Sequence, residues 1–339
     1  MYSVGIIANP ASGKDIRRLV ALGSVFGNQE KVNIVRRLMV GLDRVGVDQV
    51  YIMPDAFGIG WQAIDGLGRH NKHIADKATI LDMSIDNDAT DSMRAAACMC
   101  EMGVTCLITL GGDGTNRVVA KGAGEVPLVP VSTGTNNVVP YMIEGTIAGL
   151  AAGFVAMHPE ARDKVAYRSK RLEVYKNGTY VDMALVDVAV VSGTSIGARA
   201  VWDPDVLRQV IVTRGEPETT GMSALVGFLH PIDPKGPLGL SLTLGRENDR
   251  QVTAPLAPGV IVTVGVDEIR SLTLGDRVSI GKGPCILALD GEREIPLTSD
   301  DVAEVILSGE GPWIVDIHKA MAFAVQHGIF AHSRSKSSP

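Results

Sequence analysis

Two hydrophobic textures divide the chain. Up to about residue 160, short apolar runs alternate with longer stretches of helical period. Val4 to Ala8 and Thr105 to Leu110 are short, continuous apolar runs of buried-strand type, and Val50 to Met53, Ile80 to Met83 and Val126 to Val131 read as further strands. Between them, Val32, Val35, Leu38, Met39, Leu42 and Val45 recur at helical spacing within Gln29 to Val45. An Ala-rich helix is predicted from about Asp91 to Met102, closed by Gly103, and another from Glu144 to Met157. Strands alternating with helices build a parallel sheet with crossover helices. The first texture therefore predicts an α/β domain.

From about Arg168 the period changes. Leu172 to Tyr175, Tyr180 to Val191, Val206 to Thr213, Val260 to Val266, Ser271 to Ile280 and Cys285 to Leu289 are β-prone. Asn-Gly, Gly-Asp and Gly-Lys-Gly turns join them. This reads as an all-β, antiparallel region, with Ser192 to Pro204 and Arg214 to Gly221 irregular and a short helix over Met222 to Leu229. Val315 to Phe330 returns to helical period, and Ala331 to Pro339 is a polar tail predicted to be disordered.

Three predicted strand ends carry polar and glycine-rich turns. The strand ending at Leu110 runs into Gly111-Gly112-Asp113-Gly114-Thr115-Asn116, after which Val118-Val119-Ala120 can continue as helix. Closely spaced glycines let the backbone approach a ligand, and a helix N-terminus can hold a phosphate. A carboxylate there, Asp113, suits a Mg²⁺ contact or a base that takes a proton from a hydroxyl. The conformational reading is simpler: strand-to-helix turns use Gly and Asp for their backbone preferences. Asn9-Pro10-Ala11-Ser12-Gly13-Lys14 follows the first strand. It is not a P-loop, which would need Gly where Ala8 stands and Ser or Thr where Asp15 stands. Ser132-Thr133-Gly134-Thr135-Asn136-Asn137 follows the strand ending at Val131, and helix capping accounts for one such residue more readily than five. In parallel sheets ligands sit at the carboxyl ends of strands. Asp290-Gly291-Glu292 stands late in the β region, where Asp-Gly is also a common hairpin turn.

Composition narrows the classes. The net charge of −6 lacks the basic footprint of a nucleic-acid binder, while leaving room for a nucleotide held by backbone N–H groups. Cys98, Cys100, Cys106 and Cys285 form no Cys-x-x-Cys pair and read as reduced residues of a cytoplasmic protein. The first residues begin a strand at once, unlike a signal peptide, and no apolar run approaches the ~20 residues needed to span a membrane. No His or Cys pattern has metal-site spacing, so no protein-ligated metal is expected.

Taken in order, the turns at 9–14, 111–115, 134–137 and 290–292 resemble the superfamily of NAD kinases and diacylglycerol/sphingosine lipid kinases. Within it the chain is most similar to the ATP-NAD kinase branch that includes acetoin catabolism protein X-like members. The resemblance spans about residues 4 to 330. It implies a nucleotide-binding α/β domain over 1–160, a sandwich-like substrate-binding β domain over 161–310, and a last segment, 311–330, that returns to the first domain. It also implies an interdomain site for small-molecule nucleotides, with ATP (or polyphosphate) and Mg²⁺ as donor and NAD as the substrate phosphorylated to NADP. By the same resemblance, Asn9, Ser12, Gly13, Lys14, Gly111, Gly112, Gly114, Thr115, Asn116, Gly134, Thr135, Asn136 and Asn137 would contact the nucleotide. Asp113 would activate the ribose 2′-hydroxyl, as in NAD kinases; Asp290 and Glu292 are the candidate bases of the lipid-kinase pattern. Asp187 is the acidic half of the dinucleotide-binding pair, whose Asn is replaced here by Val186. The alternatives are a kinase for a lipid or small polyol, and a non-catalytic nucleotide-binding accessory protein of acetoin catabolism. A homo-oligomer is expected by family analogy.

Overall fold

The computed structural model describes residues 1–14, 21–23, 26–68, 71–134, 137–193, 201, 203–245 and 250–331, with the backbone alone at 293. The predicted tail beyond 331 and part of the predicted irregular segment 192–204 lie outside these residues. The first sheet contains β1 (Ser3–Ala8), β2 (Gln49–Ile52), β3 (Ala78–Ile80), β4 (Cys106–Gly111), β5 (Leu128–Ser132) and β6 (Ala166–Arg168). From far along the chain, β18 (Trp313–Val315) inserts between β5 and β6. The order is β3-β2-β1-β4-β5-β18-β6, parallel throughout except for β6 against β18. Helices α1 (Asn28–Arg44), α2 (Ile59–Asp65), α3 (Lys72–Ala75), α4 (Ala89–Glu101), α5 (Asp113–Ala123), α6 (Gly145–Met157) and α7 (Arg162–Val165) fall between or beside these strands. Every residue of β1 and β4 is buried, because both faces of the sheet are covered. Val4, Ile6, Ile108 and Leu110 pack with α1 and α6, while Ile7 and Leu107 pack with α4 and α5.

The second domain has two antiparallel sheets. Its short helix α8 (Met222–Gly227) and the closing helix α9 (Ile317–Gln326) complete the helix set. The strands are β7 (Arg171–Lys176), β8 (Thr179–Ala184), β9 (Asp187–Ser192), β10 (Leu207–Val212), β11 (Gly239–Gly245), β12 (Gln251–Ala257), β13 (Val260–Leu272), β14 (Arg277–Ser279), β15 (Cys285–Leu289), β16 (Glu292–Leu297) and β17 (Ala303–Ser308). Seven strands order as β12-β13-β11-β10-β9-β15-β16, and four as β14-β17-β7-β8. Leu172, Val174, Val188, Ile211, Leu287 and Val305 fill the layer between them. The fold class expected from the hydrophobic pattern is the one found.

Two local departures matter later. The apolar run Tyr180 to Val191 is two strands in different sheets, broken at Leu185-Val186 although no turn-forming residue stands there. The helix after the glycine turn begins at Asp113 itself, with Gly112 as its N-cap.

Small residues in α6 let it meet α1 closely. A Cβ on Gly149 would lie 2.5 Å or less from the backbone of Leu38, and one on Gly41 would lie 2.5 Å from the carbonyl oxygen of Thr146. Backbone cannot move aside as a flexible side chain can. Gly149→Ala is therefore expected to cost about 1–3 kcal/mol in urea unfolding. Gly281→Ala, where a Cβ meets nothing within 4 Å, is expected to leave the midpoint within experimental error.

Candidate functional site

The strand order puts β1 beside β4 and β4 beside β5, with the chain leaving toward β2 on one side and β5 on the other. That is a topological switch point, where ligand crevices form. The three predicted turns meet at its carboxyl edge. Asn9 Nδ2 donates to Thr115 Oγ1 at 2.9 Å, the hydroxyls of Ser12 and Thr133 lie 2.8 Å apart, and Asn137 Nδ2 donates to Ser132 Oγ at 2.7 Å. Thr133 N–H donates to the Gly111 carbonyl at 3.3 Å. A Cβ on Gly112 would lie 2.8 Å from Asn137 Oδ1, so the glycine permits the contact between the two turns. Gly134 stands in the same contact, with its Cβ position 2.9 Å from Asn137 Nδ2.

Asp113 is buried at the first turn of α5. Its Oδ1 accepts N–H bonds from Val138 at 3.1 Å and Val139 at 2.7 Å, and Oδ2 accepts from Val138 at 3.0 Å. The carboxylate thus ties the glycine turn to the segment after the third motif. Burial, reinforced by the charge of Asp290, pushes its pKa up to about 7, against the opposing pull of those N–H groups and of Arg214. Asp113 also opens onto a small interdomain cleft. Val138 and Asp187 line it too, with Gly291, the Thr220-Gly221-Met222 stretch, Val201 and Leu256. Asp187 therefore comes to the same cleft as Asp113 from the second domain.

The other predicted residues take different places. Asn116 is fully buried, its Oδ1 accepting from Thr109 Oγ1 at 2.5 Å and its Nδ2 donating to the Gly112 carbonyl at 2.9 Å, so its side chain fastens the turn from inside. Lys14 is exposed, with Nζ 4.6 Å above the Phe57 ring, and Gly13 adopts φ +72° in the adjoining turn. Thr135 and Asn136 lie outside the described residues. Asp290 is buried at φ +50°; its carboxylate accepts N–H bonds from Leu185, Val186 and Asp187, the shortest 2.8 Å from Val186. Glu292 is half-buried, and a Cβ on Gly114 would lie 3.4 Å from its Oε1. Glu292 therefore stands by the first turn of α5.

Two side chains escaped the motif reading. Arg117, one turn beyond Asp113 in α5, is buried among carboxylates of the second domain: Asp182 at 3.2 Å, Glu294 at 3.1 Å and Asp290 at 3.6 Å. Lys31 is fully buried, and its ammonium donates to the carbonyls of Asn9 at 2.8 Å, Pro10 at 3.3 Å and Ser12 at 2.9 Å. The signal for Lys31 was present, since it shares the helical face of Val35, Leu38 and Leu42. A charge on an apolar stripe needs buried partners. Lys31→Met is expected to take the ammonium donor from these carbonyls, of which Asn9 keeps the Ser12 hydroxyl, costing about 1–3 kcal/mol. Hydrogen exchange at the Ala11 and Ser12 amides should accelerate more than exchange in β4.

Donor chemistry can be tested against these residues. The first N–H groups of an α-helix have no intrahelical partner. The turn leading into α5 is close-packed around glycine: a Cβ on Gly111 would lie 2.5 Å or less from the Thr115 side chain. This fits a phosphate seat. Among the described residues no group of three His, Cys, Asp or Glu side chains could hold a metal.

Known proteins share this organisation. Residues 4–158 match the family described as ATP-NAD kinase N-terminal domain, and residues 170–310 match Acetoin catabolism protein X C-terminal domain. Acetoin catabolism protein X of Cupriavidus necator is 37% identical over 332 residues, covering 96% of this chain and 92% of its own. The crystal structure of yeast NADH kinase complexed with NADH has a similar fold, with a TM-score of 0.51 and 14% identity over 100% of this chain and 90% of that one. Among the described residues no helix is long and apolar enough to cross a membrane.

Proposed function

We propose that this chain, which belongs to the acetoin catabolism protein X family, is a phosphotransferase that moves the terminal phosphoryl group of ATP to the 2′-hydroxyl of NAD, giving NADP. One observation carries the reading: Asp113 stands in the interdomain cleft at the first turn of the helix that follows the glycine turn. Its pKa, pushed up to about 7, is that of a base able to take and release a proton near neutrality. In the step, the acceptor O–H gives its proton to the Asp113 carboxylate. The oxygen forms a bond to the γ-phosphorus, and the bond from that phosphorus to the bridging oxygen breaks, leaving its electron pair on ADP. The turn at 111–115 would seat the donor phosphates, and Mg²⁺ carried on them would supply charge neutralisation there. Asp187 and the 220–222 stretch meet the acceptor from the other wall. The site faces no nucleic acid or membrane in this reading, and the protein works in the cytoplasm as a homo-oligomer.

A second reading has its own observation. Val186, at the place of an Asn in the dinucleotide-binding pair, is 1% exposed and spends its N–H on Asp290. It offers no side-chain hydrogen bond to a ribose or base, which favours a smaller polyol acceptor. The test is turnover. ATP, Mg²⁺ and NAD are incubated with the protein, and NADP is read with a coupled dehydrogenase. NADP from the parent supports the first reading. ADP release only with a polyol panel supports the second, and nucleotide binding without turnover to any acceptor sinks both in favour of an accessory role.

A further inference from the structure

The corner where the chain leaves one sheet of the second domain for the other is held by charges, not by turn residues. Leu185, Val186 and Asp187 all donate their N–H groups to the Asp290 carboxylate. Asp187, the last of them, lines the cleft, as does Gly291, the residue after Asp290. Behind Asp290 stands Arg117, whose Nε is 3.6 Å from Oδ2 and whose other nitrogens reach Asp182 on β8 and Glu294 on β16. Arg117 rises from α5, the helix that opens with Asp113. One helix therefore carries the candidate base in its first turn and, one turn later, the cation that fastens the opposite wall.

We propose that Asp290 and Arg117 are positioning residues for phosphoryl transfer: they fix Asp187 and Gly291 of the second domain opposite Asp113 of the first. This rests on the phosphotransferase reading for its kinetic arm alone. The Asp290 side chain is withdrawn from solvent and already accepts from three N–H groups, and unlike Asp113 it is absent from the residues lining the cleft, so it is not placed to meet an acceptor hydroxyl. When ionised, it disfavours ionisation of Asp113. The groups facing Asp113 are Asp290 from the β15–β16 turn, Arg214 from the segment after β10, and Asp187 at the start of β9. Those facing Asp290 are Arg117, the corner N–H groups and, through Arg117, Asp182, Glu292 and Glu294. Burial holds the pKa of Asp290 above the usual carboxylate range, and Arg117 opposes that rise.

The carboxyl carbons are followed by NMR against pH, with the Asp113 signal assigned by its loss in Asp113→Asn. In Asp290→Asn the Asp113 midpoint is expected to move to lower pH, because a negative neighbour has been removed. In Asp182→Asn it is expected to stay, since that change takes a carboxylate from Arg117 but leaves the corner N–H groups their acceptor. A midpoint unchanged in Asp290→Asn, or moved equally by both variants, overturns the proposal. Should Asp290→Asn fail to fold, the parent still decides. The Val138 and Val139 amides report Asp113, and the Leu185 and Val186 amides report Asp290. The first pair must show an inflection at the midpoint of the second, and its absence overturns the proposal. With ATP, Mg²⁺ and NAD, Asp290→Asn is expected to lower kcat by about 10–100-fold through misplacement, with the KM for ATP unchanged. A parent that turns over nothing removes the functional reading and leaves the titration arms to stand or fall alone.

Discussion

If the proposed transfer is this protein's reaction, Asp113→Asn is expected to slow it by about 10²–10⁴-fold, the usual contribution of a positioned base. The amide keeps an oxygen that can accept from Val139, so the variant is expected to fold; its NH2 group opposes the Val138 N–H, which costs some stability. In the parent, kcat/KM is expected to rise with pH through about 7 and then level, because the carboxyl must lose its proton before it can accept one from the acceptor. The residual activity of the variant should lack that rise. Stability runs the opposite way. The pKa is raised from 3.8 to about 7 on folding, so the native state keeps a proton that the unfolded chain gives up. That contribution is complete below 3.8 and is lost as pH climbs toward 7. Asp113→Asn should therefore gain on the parent in urea midpoint between pH 4 and pH 7.5. A variant with parental rates would leave Asp113 as a cap for residues 138 and 139 and nothing more.

Arg117→Met is the larger blow to the fold. The guanidinium is buried and answers Asp182, Asp290 and Glu294, all on the other domain. Removing one member of a buried ion cluster leaves uncompensated charge and costs about 3–5 kcal/mol. The abandoned carboxylates can escape by taking up protons. The loss should accordingly be greatest at pH 8 and smaller at pH 5, in paired urea titrations of variant and parent. A pH-independent loss would mean that packing of the arginine stem, not its charge, accounts for the effect.

Much of this was legible in residue order. β1, β4, β5, α1, α4 and α6 follow from apolar runs and period alone, since a parallel sheet buried on both faces needs continuous apolar strands. The glycine turns were readable because their backbone demands are local. What could not be read is whatever depends on distant partners. The break at Leu185-Val186 falls inside an unbroken apolar run, and the carboxylate that holds it lies more than a hundred residues later. β6 and β18 are three residues each, too short to show a period, and they become strands only because β18 pairs with β5 on one side and β6 on the other. Arg117 reads as an ordinary exposed helix residue until its helix is placed against β8 and β16. The buried partners of Asn116 and Asp290 were equally out of reach of the sequence: the Thr109 hydroxyl and Gly112 carbonyl for the first, and the N–H groups of residues 185 to 187 for the second.

The late strand β18 sits between β5 and β6, and α9 after it covers the same core as α1 and α6. On the ribosome, the usual order is for an N-terminal domain to fold as soon as it has emerged. Here the first sheet has every strand but one by residue 168, yet its missing strand begins at residue 313. During synthesis the nascent half-molecule must wait with an unfilled sheet edge and an uncovered helix face while the whole second domain is translated. The first domain to be made is thus the last to be completed, and a chain stopped short of β18 leaves β5 and β6 without the strand between them and the core without its last helix.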